Sequence, residues 1–418
     1  MKIKPFKGLR PKPEYANKVA CRPYDVLNTS EAREEAKDNP FSFLKVIKPE
    51  ITLPLEVDHY SPEVYGAGSE NFKELLKQGI FFQDKKDCIY IYELTMDGRS
   101  QTGIVACASV DDYLQGKIKK HELTRPEKES DRKNHVRACM LNTEPVFFSY
   151  KAELRLDKIV EDSKKNVAIY DFVANDSVRH RFWIIDDNDS IISIINIFET
   201  MEATYVADGH HRTAAAALVG NDLKEGNPDH TGNERYNYFL AAHFPENQLE
   251  IYDYNRVVTD LCGHTTKSFL KEISRSFSIT RKGNNEYKPK SLHEIGMYLD
   301  GEWYFLKANP ETYNDDPISG LDVTILSEQV LSPLLGIHNL RTDKRIEFIG
   351  GIRGLSELER LVDSGDMAVA FAMYPVSMKQ LMDIADNGLI MPPKVTWFEP
   401  KLRSGLIVHN LAQESDLT

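Results

Sequence analysis

The chain has 418 residues, long enough for two domains. Its 41% hydrophobic and 28% charged content is that of a water-soluble globular protein, and 52 Lys and Arg against 64 Asp and Glu leave a net charge of −12. That balance argues against non-specific nucleic-acid binding over the whole surface. Five scattered cysteines without a C-x-x-C pair argue against a disulfide framework.

The opening sequence has no apolar core of a signal peptide, and no run approaches the ~20 apolar residues of a membrane span. A cytoplasmic protein with reduced thiols is expected. Residues 1–60 read as irregular, with "RPYDVLN" (22–28) making a turn around Tyr24 and Asp25. "SEAREEAKDNP" then predicts a short helix with a Ser cap and a Pro stop. An amphipathic helix is expected over 69–83, ending at Gly79. "CIYIYEL", "MDGRS" and "TGIVACASV" predict a β-hairpin turning at Asp97-Gly98.

Residues 117–137 carry eight Lys and Arg against four Asp and Glu, a local basic stretch suited to a small anion. It reads as a loop leading into a helix near "RKNHVRACMLN". Within it, Glu122 sits among cations that keep a carboxylate ionised. A charged surface helix with Glu127, Glu129 and Asp131 paired to neighbouring cations accounts for the same residues. An HExxH zinc site is excluded, because Arg125 stands where the second His is required. "VFFSY" reads as a strand, "KNVAIYDFVANDSVRHRFWIID" as two more, and "IISIINIFETM" as a helix.

The most informative stretch is "TYVADGHHRTAAAALVG" (204–220). "ATYVA" predicts a strand and "TAAAALVG" a helix with Gly220 as its C-cap. Asp208, Gly209, His210, His211 and Arg212 therefore occupy a strand-to-helix turn. Free backbone N–H groups and the helix dipole favour anions there. Two imidazoles and a guanidinium add to a candidate phosphate site, and Asp208 could hold Mg²⁺ together with substrate phosphates. An N-capping Asp, a turn Gly and a solvated basic patch form the plainer alternative. Zinc fits poorly, since adjacent histidines diverge on a helix and no Cys or His lies at a usual ligand spacing.

"YNYFLAAHFP" and "LEIYDYNRVV" read as strands joined through "PENQ". From about residue 260 helices and strands alternate, giving a domain of residues 1–258 followed by an α+β lobe of 259–418. In "NGLIMPPKVTWFEPKL" (387–402) two prolines predict an extended path, so Lys394 and Thr396 would point the same way and could grip a carboxylate. A segment that merely covers the core, anchored by Trp397, explains it equally well.

"RPYDVLN", "HELT…K…DR", "ADGHHR", "YNRVV" and "PPKVTWFEPKL" identify the chain as resembling a large, mainly bacterial family, conserved domain of unknown function number 1015. "VADGHHRTAAAALVG" is also similar to the V-D-G-H-H-R-W-A motif of archaeal free-serine kinases, which have a ParB/sulfiredoxin-like fold. Their upstream His-Glu pair resembles His121-Glu122, and their G-x-x-x-x-P-K-x-T pattern matches Gly388, Pro393, Lys394 and Thr396.

The resemblance implies an α+β, ParB/sulfiredoxin-like nucleotide-binding core with an N-terminal extension and insertions. It implies transfer of a phosphoryl group from ATP or ADP to free L-serine. Glu122 would be the base, Asp208 would place Mg²⁺, and Gly209 would let the backbone approach phosphates. His121, His210, His211, Arg212 and Thr213 would bind phosphates or nucleotide, with His211 also catalytic. Lys394, Thr396, Tyr24 and Asp25 would border the substrate. The His-Glu pair lies 86 residues before Asp208, which implies an inserted segment. A ParB-like nucleotide switch is the alternative. A sulfiredoxin-like redox enzyme would need a Cys beside the His-Arg turn, where none occurs.

Overall fold

The computed structural model describes residues 1–412, which form a mixed α+β protein. It divides into two units, Met1–Leu249 together with the chain from Pro400 onward, and Glu250–Glu399. The division expected at 258/259 is therefore moved. Tyr254–Val258 pairs with two strands of the second unit's sheet, and the chain after Pro400 returns to the first unit.

The main sheet of the first unit has nine strands: β1 (Ile3–Lys4), β2 (Ile89–Met96), β3 (Arg99–Ser109), β4 (Ile118–Lys119), β5 (Val146–Tyr150), β6 (Tyr170–Val173), β7 (Arg179–Ile185), β8 (Thr204–Asp208) and β9 (Tyr238–Pro245). Their order is β4-β8-β5-β9-β3-β2-β7-β6, with β1 also pairing to β3. Two pairs, β4 with β8 and β5 with β9, are parallel; the others are antiparallel. The expected hairpin is present: β2 and β3 turn at Asp97 and Gly98, whose φ values of 52° and 80° suit a tight two-residue turn.

One core lies on this sheet, with Ile91, Ile104, Phe148, Trp183, Val206 and Phe198 among its members. Phe198 belongs to the Asn188–Glu199 helix, which presents Ile191, Ile194 and Ile197 at helical spacing. The N-terminal stretch read as irregular packs a separate core from Val19, Phe43, Val46, Phe72 and Phe81. Its Thr29–Ala36 helix is capped by Asn28 in a capping box with Glu31, so the cap falls two residues before the expected Ser30. The helix expected from residue 69 starts earlier, at Pro62 with Pro at its first position, because Val64 and Tyr65 are also buried by it.

The helix after the Asp208 turn spans His210–Glu225 and does not stop at Gly220. A Cβ on Gly220 would stand 2.4 Å from the carbonyl oxygen of Tyr236, so this glycine admits a neighbouring backbone and is no C-cap.

The second unit holds a six-stranded, wholly antiparallel sheet: β10 (Tyr254–Val258), β11 (Phe277–Gly283), β12 (Glu294–Leu299), β13 (Glu302–Ala308), β14 (Ile346–Gly350) and β15 (Val369–Met373), in the order β11-β13-β12-β15-β10-β14. The Ser356–Asp363 helix packs Leu358 and Leu361 against Val257, Tyr298, Trp303 and Ala370. The strand expected over 249–258 is interrupted at Asp253: Ile251–Tyr252 pairs with Trp397–Phe398, whereas β10 joins the large sheet.

Candidate functional site

β8 delivers Asp208 to the end of the sheet, where Gly209 takes φ 88° and ψ 35° and the helix begins at His210. That left-handed conformation favours glycine. Arg212 folds back over the same residue, since a Cβ there would meet its Nε, Cζ and Nη2 at 3.1–3.2 Å. The parallel partner of β8 is β4, registered Thr204 to Ile118 and Tyr205 to Lys119, so the chain leaving β4 runs beside the turn. This places His121 edge-on to His210, ring centroids 4.5 Å apart and planes at 90°. Glu122, half-buried in the following bend, is the next residue along, with its Cα ~3.8 Å from that of His121.

The carboxylate of Asp208 accepts from the Gly209 N–H at 2.8 Å and from Lys401 Nζ at 3.2 Å, and Arg212 Nη2 lies 3.9 Å away. Burial pushes the Asp208 carboxyl up, but Lys401, Arg212 and these hydrogen bonds outweigh it and hold the group well below the usual carboxylate range. Burial likewise opposes the Arg212 charge, which Glu144, Asp25 and Asp208 hold in place. Arg212 Nη1 donates to Pro145 O at 3.2 Å and stands 4.0 Å from Glu144 Oε1. Burial pushes His121 down to about 4 and His210 well below its ordinary value, so both rings are neutral near pH 7. They can donate or accept a proton in a hydrogen bond without adding charge.

Tyr24 and Asp25 reach the same place. The Tyr24 N–H donates to Glu144 Oε1 at 3.2 Å, its ring lies under Arg132 with Cζ 4.1 Å from the centroid, and Asp25 acts electrostatically on Arg212. The "RPYD" stretch also makes a turn, Val26 N–H donating to Pro23 O at 3.2 Å. Glu144 and Lys401 are given no role by the sequence reading, and Arg132 only that of an ion-pair partner on a charged helix. Glu144 is buried and further tied to Ser404 Oγ at 2.8 Å. Behind the turn a cavity of about 20 Å³, bordered by Arg132, Glu144 and Arg212, has room for about one water.

Two expectations need correcting. Thr213 Oγ1 donates to Gly209 O at 2.9 Å and the residue is 0% exposed, so its hydroxyl is spent on tying the first helical turn. Lys394, in the second unit, has φ 59° within a bend, so the path expected to be extended is broken there and strand-like alternation does not align it with Thr396. Lys394 is exposed, its Nζ 5.8 Å from the Tyr254 ring centroid, while its carbonyl accepts from Arg256 Nη2 at 3.0 Å.

Two buried nitrogens of the turn, His210 Nε2 and Arg212 Nε, have no hydrogen-bond partner. Buried polar atoms are rarely left so. They lie at the N-terminal end of a 16-residue helix, next to first-turn N–H groups. Among the described residues no group of three or more His, Cys, Asp or Glu could hold a metal. The lone ionised carboxylate of Asp208 does fit Mg²⁺ of the kind that takes most of its oxygens from phosphate and water.

Fold and turn together define a mixed α+β protein with a strand–turn–helix that gathers His210, Arg212 and an ionised Asp208. The chain belongs to the family of proteins of unknown function DUF1015, whose description matches residues 3–324. A search of curated proteins found no match. Among solved structures, SbnI with a C-terminal truncation from Staphylococcus aureus is similar at 14% identity, over 74% of this chain and 90% of its own, with a TM-score of 0.41. A free serine kinase variant in complex with AMP is similar at 10% identity, over 72% and 92%, with a TM-score of 0.36. A conserved hypothetical protein from Pyrococcus furiosus is similar at 12% identity, over 75% and 97%, with a TM-score of 0.35. Likenesses this slight carry no weight for activity or ligand. No described helix is long and apolar enough to cross a membrane.

Proposed function

We propose that the protein is a nucleotide-dependent phosphotransferase acting on the hydroxyl of a small metabolite, free L-serine in the first instance. The observation that carries this reading is the pair of unpartnered buried nitrogens, His210 Nε2 and Arg212 Nε, at the N-terminus of a long helix beside an ionised Asp208. Such donors gain most from an acceptor-rich anion, and a phosphate chain is one. The nine-stranded sheet with its DGHHR turn would be a ParB/sulfiredoxin-like core.

In this mechanism the first-turn N–H groups, neutral His210, His211 and charged Arg212 hold the transferred and leaving phosphates. Gly209 lets the backbone come close, and His121 fixes the ring of His210. Glu122 accepts the proton of the serine hydroxyl as its oxygen bonds to phosphorus and the bond to the leaving phosphate breaks, giving O-phosphoserine and AMP from ADP, or ADP from ATP. Magnesium, held by Asp208 and phosphate oxygens, would neutralise phosphate charge. Glu144 keeps Arg212 charged and positioned, and Tyr24 and Asp25 border the site.

The test is to incubate the pure protein with L-serine, Mg²⁺ and ATP, ADP or CTP and follow phosphorus NMR. A new O-phosphoserine resonance supports the reading. Nucleotide hydrolysis that is indifferent to serine would instead make the protein a nucleotide switch. No nucleotide turnover or binding at all would end both.

A further inference from the structure

The chain that returns to the first unit after Pro400 brings a cation to the turn on a fixed root. Two and three residues beyond Lys401 the backbone is pinned. The Arg403 N–H donates to Tyr92 Oη at 3.1 Å, the Ser404 N–H donates to Cys21 O at 2.9 Å, and the Cys21 N–H returns a bond to Ser404 O at 3.2 Å. The backbone therefore sets where the Lys401 side chain starts. Its flexible four-carbon stem sets where the ammonium goes, and such a stem lets the charge exchange one nearby anionic partner for another.

At the end of that stem Lys401 Nζ donates to Asp208 Oδ2 at 3.2 Å, while Asp208 Oδ1 accepts from the Gly209 N–H at 2.8 Å, so both oxygens of the carboxylate are in use. Arg212 Nη2 stands 3.9 Å from the same Oδ2, but its guanidinium is anchored inside the protein, Nη1 donating to Pro145 O at 3.2 Å. The Asp208 side chain is the most open of the three, 28% exposed against 14% for Lys401 and 8% for Arg212. Mg²⁺ of the kind that binds through one carboxylate plus phosphate oxygens needs one of the two oxygens. With Oδ1 turned to its own backbone, Oδ2 is the oxygen such an ion would take, and that is the atom the ammonium holds. A divalent cation placed beside an ammonium is repelled by it. A phosphate chain removes the conflict, because its oxygens accept strong charge-assisted hydrogen bonds from the ammonium.

We infer that Lys401 and Mg²⁺ are alternative partners of Asp208. Lys401 holds Oδ2 until the phosphates of an incoming nucleotide draw its ammonium onto themselves, and the oxygen so opened then takes the metal. Lys401 is thereby a further phosphate-binding residue, and the metal enters with the nucleotide or after it, not before. The inference rests on the phosphotransferase reading and adds to it the order in which the site fills.

The test is calorimetric titration of the full chain with ADP, once in EDTA and once in excess Mg²⁺, and the quantity read is the ratio of the two affinities. Mg²⁺ also binds ADP in solution, but equally for every variant, so a difference between proteins reports the site. Lys401→Gln leaves Asp208 facing the phosphates without its ammonium until metal arrives. It should raise the ratio about tenfold or more, the worth of one charged hydrogen bond. Lys401→Arg, which keeps the charge, should bring the ratio back toward the wild-type value. With Asp208→Asn in place, Lys401→Gln should no longer change it. Circular dichroism checks that each variant is folded. A Lys401 that only held the structure together would weaken ADP binding alike in both buffers and leave the ratio unmoved. The inference is overturned if folded Lys401→Gln keeps or lowers the ratio, or if its effect survives Asp208→Asn. Failure of the phosphotransferase reading looks different: the wild type then binds no ADP in either buffer, and the inference falls with it. ADP binding with an unmoved ratio overturns the exchange of partners alone.

Discussion

Gly209→Ala perturbs the turn at the point where backbone and guanidinium meet. With φ at 88°, an alanine would sit in the left-handed region, at a cost of roughly 1–2 kcal/mol. In a unit of this size that lowers Tm by roughly 2–4 °C per kcal/mol. The added Cβ would also lie 3.1–3.2 Å from three atoms of the Arg212 guanidinium, whose Nη1 is tied to Pro145 O. The guanidinium has to move, and any phosphate it grips loses a charged hydrogen bond worth about 1.5–3 kcal/mol, or roughly 10- to 150-fold in ADP affinity. Gly220→Ala is the control on the same helix. Its Cβ would be 2.4 Å from Tyr236 O, so overpacking costs about 1–3 kcal/mol of stability while ADP affinity stays as in the wild type. Calorimetric unfolding and ADP titration of both variants measure this. The reasoning is refuted if Gly209→Ala binds ADP like the wild type, or if Gly220→Ala loses as much affinity.

Three further outcomes are expected. Glu122→Gln should retain ADP affinity within about threefold while phosphoserine formation drops 10²- to 10⁴-fold, the usual worth of a general base; full activity would remove Glu122 from that role. Lys401→Met deletes the main partner of Asp208. The Asp208 carboxyl lies below its unfolded value of about 3.9, so its stabilising contribution is present above ~pH 4 and lost as pH falls further. The stability gap between wild type and variant should therefore be full at pH 6 and shrink below pH 4, and a gap independent of pH contradicts the pairing. His121 titrates near 4 when folded and near 6.5 when unfolded, so the unfolded chain binds the extra proton between these values. Stability should fall by up to about 3 kcal/mol from pH 6.5 to 4 on this account, and His121→Gln should flatten that part of the profile in urea titrations.

What could be read from the sequence was what local chemistry determines. The Asp97-Gly98 hairpin, the VFFSY strand and the Asp208–Arg212 turn each depend on residues adjacent in the chain, and each lies where expected. Gly220 misled because its partner, the Tyr236 carbonyl, is brought up by the short 3-10 turn Arg235–Asn237, which no periodicity encodes. Lys401 and Glu144 were missed for the same kind of reason. One arrives after the chain has left for the second unit and returned, the other from the loop entering β5. The Glu-Pro pair of "LNTEPVFF" and the Lys of "FEPKL" are signals that become legible only once the turn's need for counter-charge is known. Lys394 failed the extended-path expectation because a left-handed φ follows the two prolines, which constrain their own φ and not that of the next residue.

On the phosphotransferase reading, the Asp208–Arg212 turn holds the phosphates of a nucleotide. Hydrogen–deuterium exchange with and without ADP and Mg²⁺ tests it at the residues concerned. Slowed exchange is expected, confined to the peptides carrying residues 207–214 and 118–124, and lost on Gly209→Ala. Protection elsewhere with these two segments unchanged, or protection that survives Gly209→Ala undiminished, would contradict it.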